Sequence, residues 1–192
     1  RAGITSPDVR LACQIRPHDE LSIIPLVPAG RVAGRRSSRD KYAHGVEQIV
    51  TLMFIDIRGF TKFSEGRLPY DVVYILNQYM GRMSEVITAH SGYVDKFMGD
   101  GIMAIFGMED EYGHGAADAL RSALEISVAL DELNEGHQAT LSEPLRIGIG
   151  IHTGPAVVGI IGSPRRTEYT VIGDTVNVAS RVEELTKVVG EP

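Results

Sequence analysis

From residue 45 onward the apolar positions alternate between two periods. Ile49–Ile55 is a short apolar run with β-branched members, the pattern of a buried strand. Asp71–His90 sets Val72, Val73, Leu76, Tyr79, Met80, Met83 and Ile87 at helical spacing. Tyr93–Met98 and Ile102–Phe106 read as strands joined by Gly99-Asp100-Gly101, a favoured hairpin turn. His114–Glu135 predicts a second amphipathic helix, with Ala116, Leu120, Ala123, Ile126, Leu130 and Leu133 along one stripe. Leu145–His152 and Ala156–Ile161 predict strands around a His-Thr-Gly-Pro turn, and Glu168–Ile172 one more short strand. Asp174 can cap a last helix reaching Lys187, because its carboxylate can accept first-turn amide protons. The order predicts an α+β fold of the ferredoxin-like, split βαβ (βαββαβ) kind, an antiparallel sheet with helices on one face.

Upstream the pattern weakens. Residues 1–28 mix short apolar clusters with Pro17, Pro25 and Pro28, and residues 29–44 are basic and rich in small residues, the composition of a linker. The chain therefore divides into 1–28, a linker at 29–44, and a main domain at 45–192. Its formal charge of −6 is uneven: residues 1–48 hold 8 Lys/Arg against 5 Asp/Glu (+3), and the remainder 11 against 20 (−9). An acidic domain disfavours nucleic acid as a partner, and a polyphosphate would have to be met with metals and a few placed cations. The single cysteine, Cys13, fits a reducing, cytoplasmic setting. No apolar run approaches a membrane span, so membrane attachment would come from outside these residues. Opening on Arg1 and closing on Pro192, the chain reads as a fragment cut at both ends.

Two carboxylates carry the candidate chemistry. Asp56 ends the first strand and Asp100 sits in the hairpin turn, 44 residues later. A split βαβ sheet places its first strand centrally beside that hairpin, so both acids can meet at one edge. Mg²⁺ prefers oxygen and takes one or two carboxylates plus substrate phosphates, and two metals can activate an attacking oxygen and neutralise a leaving one. Gly59, Phe60 and Thr61, after the strand, can turn backbone amides toward a triphosphate. Asp100 alone could equally be a turn former. Asp56 is harder to explain that way, since an unpaired acid ending an apolar strand is costly to bury.

Phe54-Ile55-Asp56-Ile57-Arg58-Gly59-Phe60-Thr61 resembles the first metal motif of class III adenylyl and guanylyl cyclases. Gly92–Gly101, Gly148–Gly154 and Glu168–Arg181 resemble their second metal motif, following strand and substrate motif, so the likeness covers about residues 46–192. It implies a cyclase palm-type fold incomplete at its C-terminus, because the family's later triphosphate lysine would lie beyond Pro192. It implies ATP as substrate, 3′,5′-cyclic AMP and diphosphate as products, and a role in intracellular signal transduction. Asp56, Asp100 and the Ile57 backbone carbonyl would hold two Mg²⁺ or Mn²⁺. Lys96 and Thr170 would read the purine, and Asn177 and Arg181 would serve the ribose and the developing phosphate charge. A homodimer with active sites at the subunit interface is implied as well.

Elementary chemistry agrees with these roles. Lys can donate to adenine N1 but is mismatched to the N1 proton of guanine. Asn177 and Arg181, four apart on one helix, share a face, and Arg suits a spread phosphate charge. Taken singly, Lys96 and Arg181 would be solvated surface charges. His152 and His114 are read as structural. The rival functions are a guanylyl cyclase, which Lys96 disfavours, and a non-catalytic nucleotide-binding regulatory module, which the joint presence of Asp56, Asp100, Asn177 and Arg181 disfavours. A polymerase palm would leave the motif around Thr170 unexplained.

Ser6–Pro17 resembles the end of a plant-type [2Fe–2S] ferredoxin domain around its last cluster cysteine, here Cys13. Residues 1–28 would then be the C-terminal remnant of that domain, with the other ligands upstream of Arg1.

Overall fold

The computed structural model describes residues 42, 45–108, 113–138, 140–141, 143–163, 166–190 and 192. The expectations for residues 1–28, Cys13 included, and for nearly all of 29–44 lie outside the described residues. Tyr42, within the stretch of linker composition, is buried in the core.

The elements run β1 (Val46–Ile57), α1 (Phe60–Ser64), α2 (Pro69–Ala89), β2 (Tyr93–Met98), β3 (Gly101–Phe106), α3 (Gly115–Gly136), β4 (Ile147–Ser163), β5 (Arg166–Ile172) and α4 (Asp174–Val189). One antiparallel sheet joins the strands in the order β2-β3-β1-β4-β5. This is the expected split βαβ unit with β1 at its centre, extended by β5 and α4.

Successive β1 side chains serve opposite faces. Met53, Ile55 and Ile57 join Ile102, Ala104 and Phe106 under α2 and α3. Leu52 and Phe54 join Met103, Ile105, Val158, Val171, Tyr42 and Ala179 of α4 on the other face. β1 is apolar over Leu52–Ile55 because both of its sides are covered there. The expectation of helices on one face therefore holds for α2 and α3, while the added α4 covers the opposite face. Glycines permit that approach. Gly148, Gly150 and Gly154 bring no side chain to this face of β4, and a Cβ on Gly150 would stand 2.6 Å from the Ala179 carbonyl oxygen.

Four other expectations are corrected. The strands expected on either side of His-Thr-Gly-Pro are one continuous strand, β4. Pro155 is tolerated there because β5 begins pairing only at Val157, so its missing N–H faces no strand. The α3 stripe is rotated: Ala119, Ser122, Ile126, Ala129 and Leu130 are buried, while Ala116 and Leu120 are exposed. That helix is apolar on more than one side, and close packing of Gly115 on Gly107 selects the side, a Cβ on Gly115 falling 2.9 Å from the Gly107 Cα. In α2, Val73 is exposed, and Ile75 and Val86 are buried instead. Asp174 makes no side-chain cap; Gly173 holds the cap position, and Asp174 contributes charge to the first turn.

The sheet coils so far that its two edge strands meet. The Tyr93 ring of β2 and the Tyr169 ring of β5 are 5.6 Å apart, centroid to centroid, although three strands separate them in the sheet. Among the described residues, no helix is long and apolar enough to cross a membrane.

Candidate active site

β1 delivers Asp56 at its end, and the β2–β3 turn delivers Asp100, with Gly99 at φ 68° making the turn. The two carboxylates share one site. Burial, and then the charge of Asp56, raise the Asp100 pKa above its ordinary value. Between them Gly101 keeps the floor open, since a Cβ there would already stand 3.5 Å from Asp56 Oδ1. The Arg58 amide donates to the Arg146 carbonyl on the β4 side. Successive strand residues alternate edges, so the Ile57 carbonyl is aimed at the other edge, where β1–β3 pairing ends at Ile102 and the Asp100 turn begins.

A cation already occupies this neighbourhood. Lys187, in the last turn of α4, donates to Asp56 Oδ2 at 3.0 Å and lies 3.6 Å from Glu183 Oε2. The hydrogen bond to Asp56 raises the Lys187 pKa. Burial raises the Glu183 pKa, against the lowering effect of Lys187. Asp56 thus accepts a positive charge, and the all-oxygen donor set of Asp56 and Asp100 fits Mg²⁺ or Mn²⁺. Among the described residues there is no group of three or more His, Cys, Asp or Glu side chains that could form a closed cage. Two carboxylates without a cage suit a metal whose remaining ligands are substrate phosphates and water. Beneath them, the Tyr79 hydroxyl is fully buried without a hydrogen-bond partner, and burial, followed by the charges of Asp56 and Asp100, pushes its pKa far up.

Gly59, Phe60 and Thr61 form the turn and the start of α1. Gly59 is left-handed at φ 68°, and Phe60 stacks on Phe63 at 5.8 Å. Thr61 is exposed, with its carbonyl accepting from the Glu65 amide and Ser64 Oγ. Arg58 instead braces the scaffold, donating to the carbonyls of Ile147 (3.0 Å) and Thr186 (2.9 Å).

The second cluster is built where the sheet edges meet. Thr170 Oγ1 donates to Asp95 Oδ2 at 2.8 Å, and Lys96 Nζ lies 3.3 Å from the same oxygen and 3.9 Å from Glu168 Oε2. The structure therefore brings Lys96 and Thr170 together through Asp95. No role was foreseen for Asp95, Glu168, Lys187 or Tyr79. Lys96 lies within β2, and Asp100 lies past the end of that strand, in the hairpin turn.

Asn177 and Arg181 are exposed on α4 and make no hydrogen bond or ion pair among the described residues. Lys187 of the same helix touches Asp56. At the helical rise, Arg181 lies about 9 Å and Asn177 about 15 Å further along the axis, turned roughly 80–120° from Lys187. Lys187 is thus the α4 side chain that meets the carboxylates, while Lys96 and Thr170 belong to a cluster of their own around Asp95.

The chain is similar to known proteins in sequence and in fold. The sequence profile of the family described as "Adenylate and Guanylate cyclase catalytic domain" matches residues 42–189. "Adenylate cyclase 1" of Rhizobium meliloti (strain 1021) is 40% identical over 161 residues, 84% of this chain and 23% of its own length. "Adenylate cyclase" of Anabaena cylindrica is 40% identical over 146 residues, 73% of this chain and 28% of its own. Among solved structures, the guanylyl cyclase Cya2 is 45% identical with a TM-score of 0.66, covering 73% of this chain and 72% of that one. The adenylyl cyclase CyaB from P. aeruginosa is 36% identical with a TM-score of 0.67, covering 73% and 74%. The chain spans only about a quarter of the length of these two curated relatives. Similar structures carry both nucleotide names, so identity alone does not choose the base.

Proposed function

The chain belongs to the adenylate and guanylate cyclase catalytic domain family, and from that membership we propose that it converts ATP to 3′,5′-cyclic AMP and diphosphate in intracellular signal transduction. The observation that carries the choice of ATP is the cluster at the meeting edges. It presents the Lys96 ammonium, which can only donate, beside the Thr170 hydroxyl. Adenine N1 accepts, whereas the guanine N1–H needs an acceptor.

Asp56, Asp100 and the Ile57 carbonyl would hold two Mg²⁺ or Mn²⁺. When bound, these ions lower the cost of charge on the attacking 3′-oxygen and on the leaving diphosphate. Lys96 and Thr170 fix the purine, and Asn177 orients the ribose. Arg181 offers its planar fork to the charge that spreads over the α-phosphate. The amides of Gly59, Phe60 and Thr61 face the triphosphate. The family resemblance implies a two-fold homodimer, whose symmetry would set the carboxylates of one copy against the Lys96 and Arg181 groups of the other, twice over. We place the domain in the cytoplasm, where ATP is available, with nucleic acid absent from its partners and membrane attachment left to other segments. Residues 1–28 we assign as the end of a [2Fe–2S] domain, with Cys13 as one ligand of the four a cluster requires.

The test is product formation by the intact protein from ATP and from GTP, with Mg²⁺ and Mn²⁺ separately, alongside Lys96→Glu. Wild type is expected to make cyclic AMP. Lys96→Glu is expected to move the ATP/GTP ratio of kcat/KM toward GTP by roughly 10²-fold or more, since a donor becomes an acceptor. Preferential turnover of GTP by wild type would make the protein a guanylyl cyclase, and nucleotide binding without turnover would make it a regulatory module.

A further inference from the structure

Asp95 lies within the second cluster but was given no role there. Its side chain is 1% exposed, its Oδ2 serves both Lys96 and Thr170, and its Oδ1 is buried without a hydrogen-bond partner. A regular strand would set Asp95 and Lys96 on opposite faces. Here the pairing shifts: Val94 opposes Ala104, and Lys96 opposes Met103, so Asp95 is the extra residue of a β-bulge. Directly opposed residues share a face. Val94 and Ala104 lie on the α2/α3 face, and Met103 lies on the opposite face with Tyr42 and Val171. The bulge therefore sets Lys96 on the face of Met103, and where the two sheet edges meet Asp95 Oδ2 joins Lys96 to Thr170.

We propose that Asp95 is a positioning residue that sets base specificity by fixing the donor and acceptor pattern of Lys96 and Thr170; this rests on the adenylyl cyclase assignment above. A threonine hydroxyl has one proton to donate and two lone pairs. Its proton is committed to Asp95, so what remains for a ligand is an acceptor. Lys96, held by the same oxygen, offers donors only. An acceptor beside a donor complements the adenine edge, with its 6-amino donor and N1 acceptor. It opposes guanine, whose O6 accepts and whose N1–H donates. Released from Asp95, the hydroxyl could rotate to donate to O6, and the discrimination would fade.

The experiment compares kcat/KM for ATP and GTP in intact wild type, Asp95→Asn, Thr170→Val and the double variant, with folding checked by circular dichroism. Asp95→Asn and Thr170→Val are each expected to lower the ATP/GTP ratio about 10-fold or more, in line with the discrimination a hydrogen-bonding site provides. The double variant is expected to lose no more than either single one, because both changes remove the same oriented hydroxyl. An equal loss for both nucleotides in Asp95→Asn, leaving the ratio intact, would mean that Asp95 only supports the fold. Multiplying effects would make it independent of Thr170. Either result overturns the proposal. If Asp95→Asn does not fold, wild type with purine riboside triphosphate, which lacks the 6-amino donor, decides the matter. Its kcat/KM should fall about 10-fold below that of ATP, and parity with ATP overturns the proposal. If wild type makes no cyclic AMP, the adenylyl cyclase assignment itself fails, an outcome distinct from an unchanged ratio in an active enzyme.

Discussion

Gly150→Ala tests how the carboxylates of the sheet are coupled to the groups of α4. A Cβ at this buried position of β4 would collide with the Glu183 amide nitrogen and stand 2.6 Å from the Ala179 carbonyl oxygen and 2.7 Å from the Glu183 Cα. All three are α4 backbone, which cannot swing aside as a side-chain tip can. Restoring an ordinary contact of about 3.5 Å requires the helix to withdraw by about 1 Å. Such overpacking typically costs 1–3 kcal/mol, equivalent to a Tm lowered by about 2–12 °C for a domain of this size. The same helix carries Asn177, Arg181 and Lys187, and a displacement of about 1 Å can cost roughly 10²-fold in rate. Thermal melts and steady-state kinetics of the intact protein, taken where the variant is fully folded, should show both losses. Gly81→Ala is the control, because a Cβ there meets nothing within 4 Å in the middle of α2; it should be stabilising by about 0.4–1 kcal/mol with unaltered kcat. If Gly150→Ala behaves like that control, α4 does not rest on β4 as described, and the coupling is refuted.

Asp100→Asn should abolish turnover, since it removes a charged oxygen ligand, and yet stabilise the metal-free protein. Burial and Asp56 raise the Asp100 pKa, so the folded state holds this proton more tightly than the unfolded one. Wild type therefore loses stability as pH climbs from the ordinary carboxylate value through the raised one. Melts without divalent metal should show the variant ahead at neutral pH and level with wild type below about pH 4; a lower Tm at neutral pH would contradict the shared site. Asn177→Ala and Arg181→Ala should each cost about 10²–10³ in kcat, with stability within roughly 0.5 kcal/mol because both side chains are exposed. Arg181→Lys should recover only part of the loss. Steady-state kinetics showing raised KM at unchanged kcat in both alanine variants would move these residues from the transition state to ground-state binding.

Much of this layout could be read along the chain, for definite reasons. The β1 run is apolar on both faces, so its strand character stands out, and an acid at its end is conspicuous. Gly99-Asp100-Gly101 is compatible with little besides a hairpin, which sets Asp100 beside β1 once the split βαβ order is assumed. The misreadings share one cause. Residue types reveal which faces are apolar but not which of two apolar faces is used. In α3, Ala116 and Leu120 belonged to the expected stripe and are exposed, while Ala119, Ser122 and Ala129 are buried. Along β4, His152-Thr153-Gly154-Pro155 resembles a turn when read as conformational punctuation. Gly154 instead makes room for Thr175 of α4, because glycine serves close approach as readily as bending.

Asp95 is the sharper case. It stands beside Lys96 in the motif that also holds Asp100, and an acidic residue next to a lysine in a strand ordinarily means alternation between faces. Two facts outside local pattern reverse that: a bulge at Asp95 itself, and a sheet coiled until β5 reaches β2. The coil is a property of five strands together, and no window along the chain contains it. The contact between Asp95 and Thr170 spans 75 residues and both edges of the sheet. On the proposed role of Asp95, base selection would depend on the global twist as well as on the identities of Lys96 and Thr170, and substitutions that flatten the sheet far from the nucleotide should loosen specificity before they lower stability.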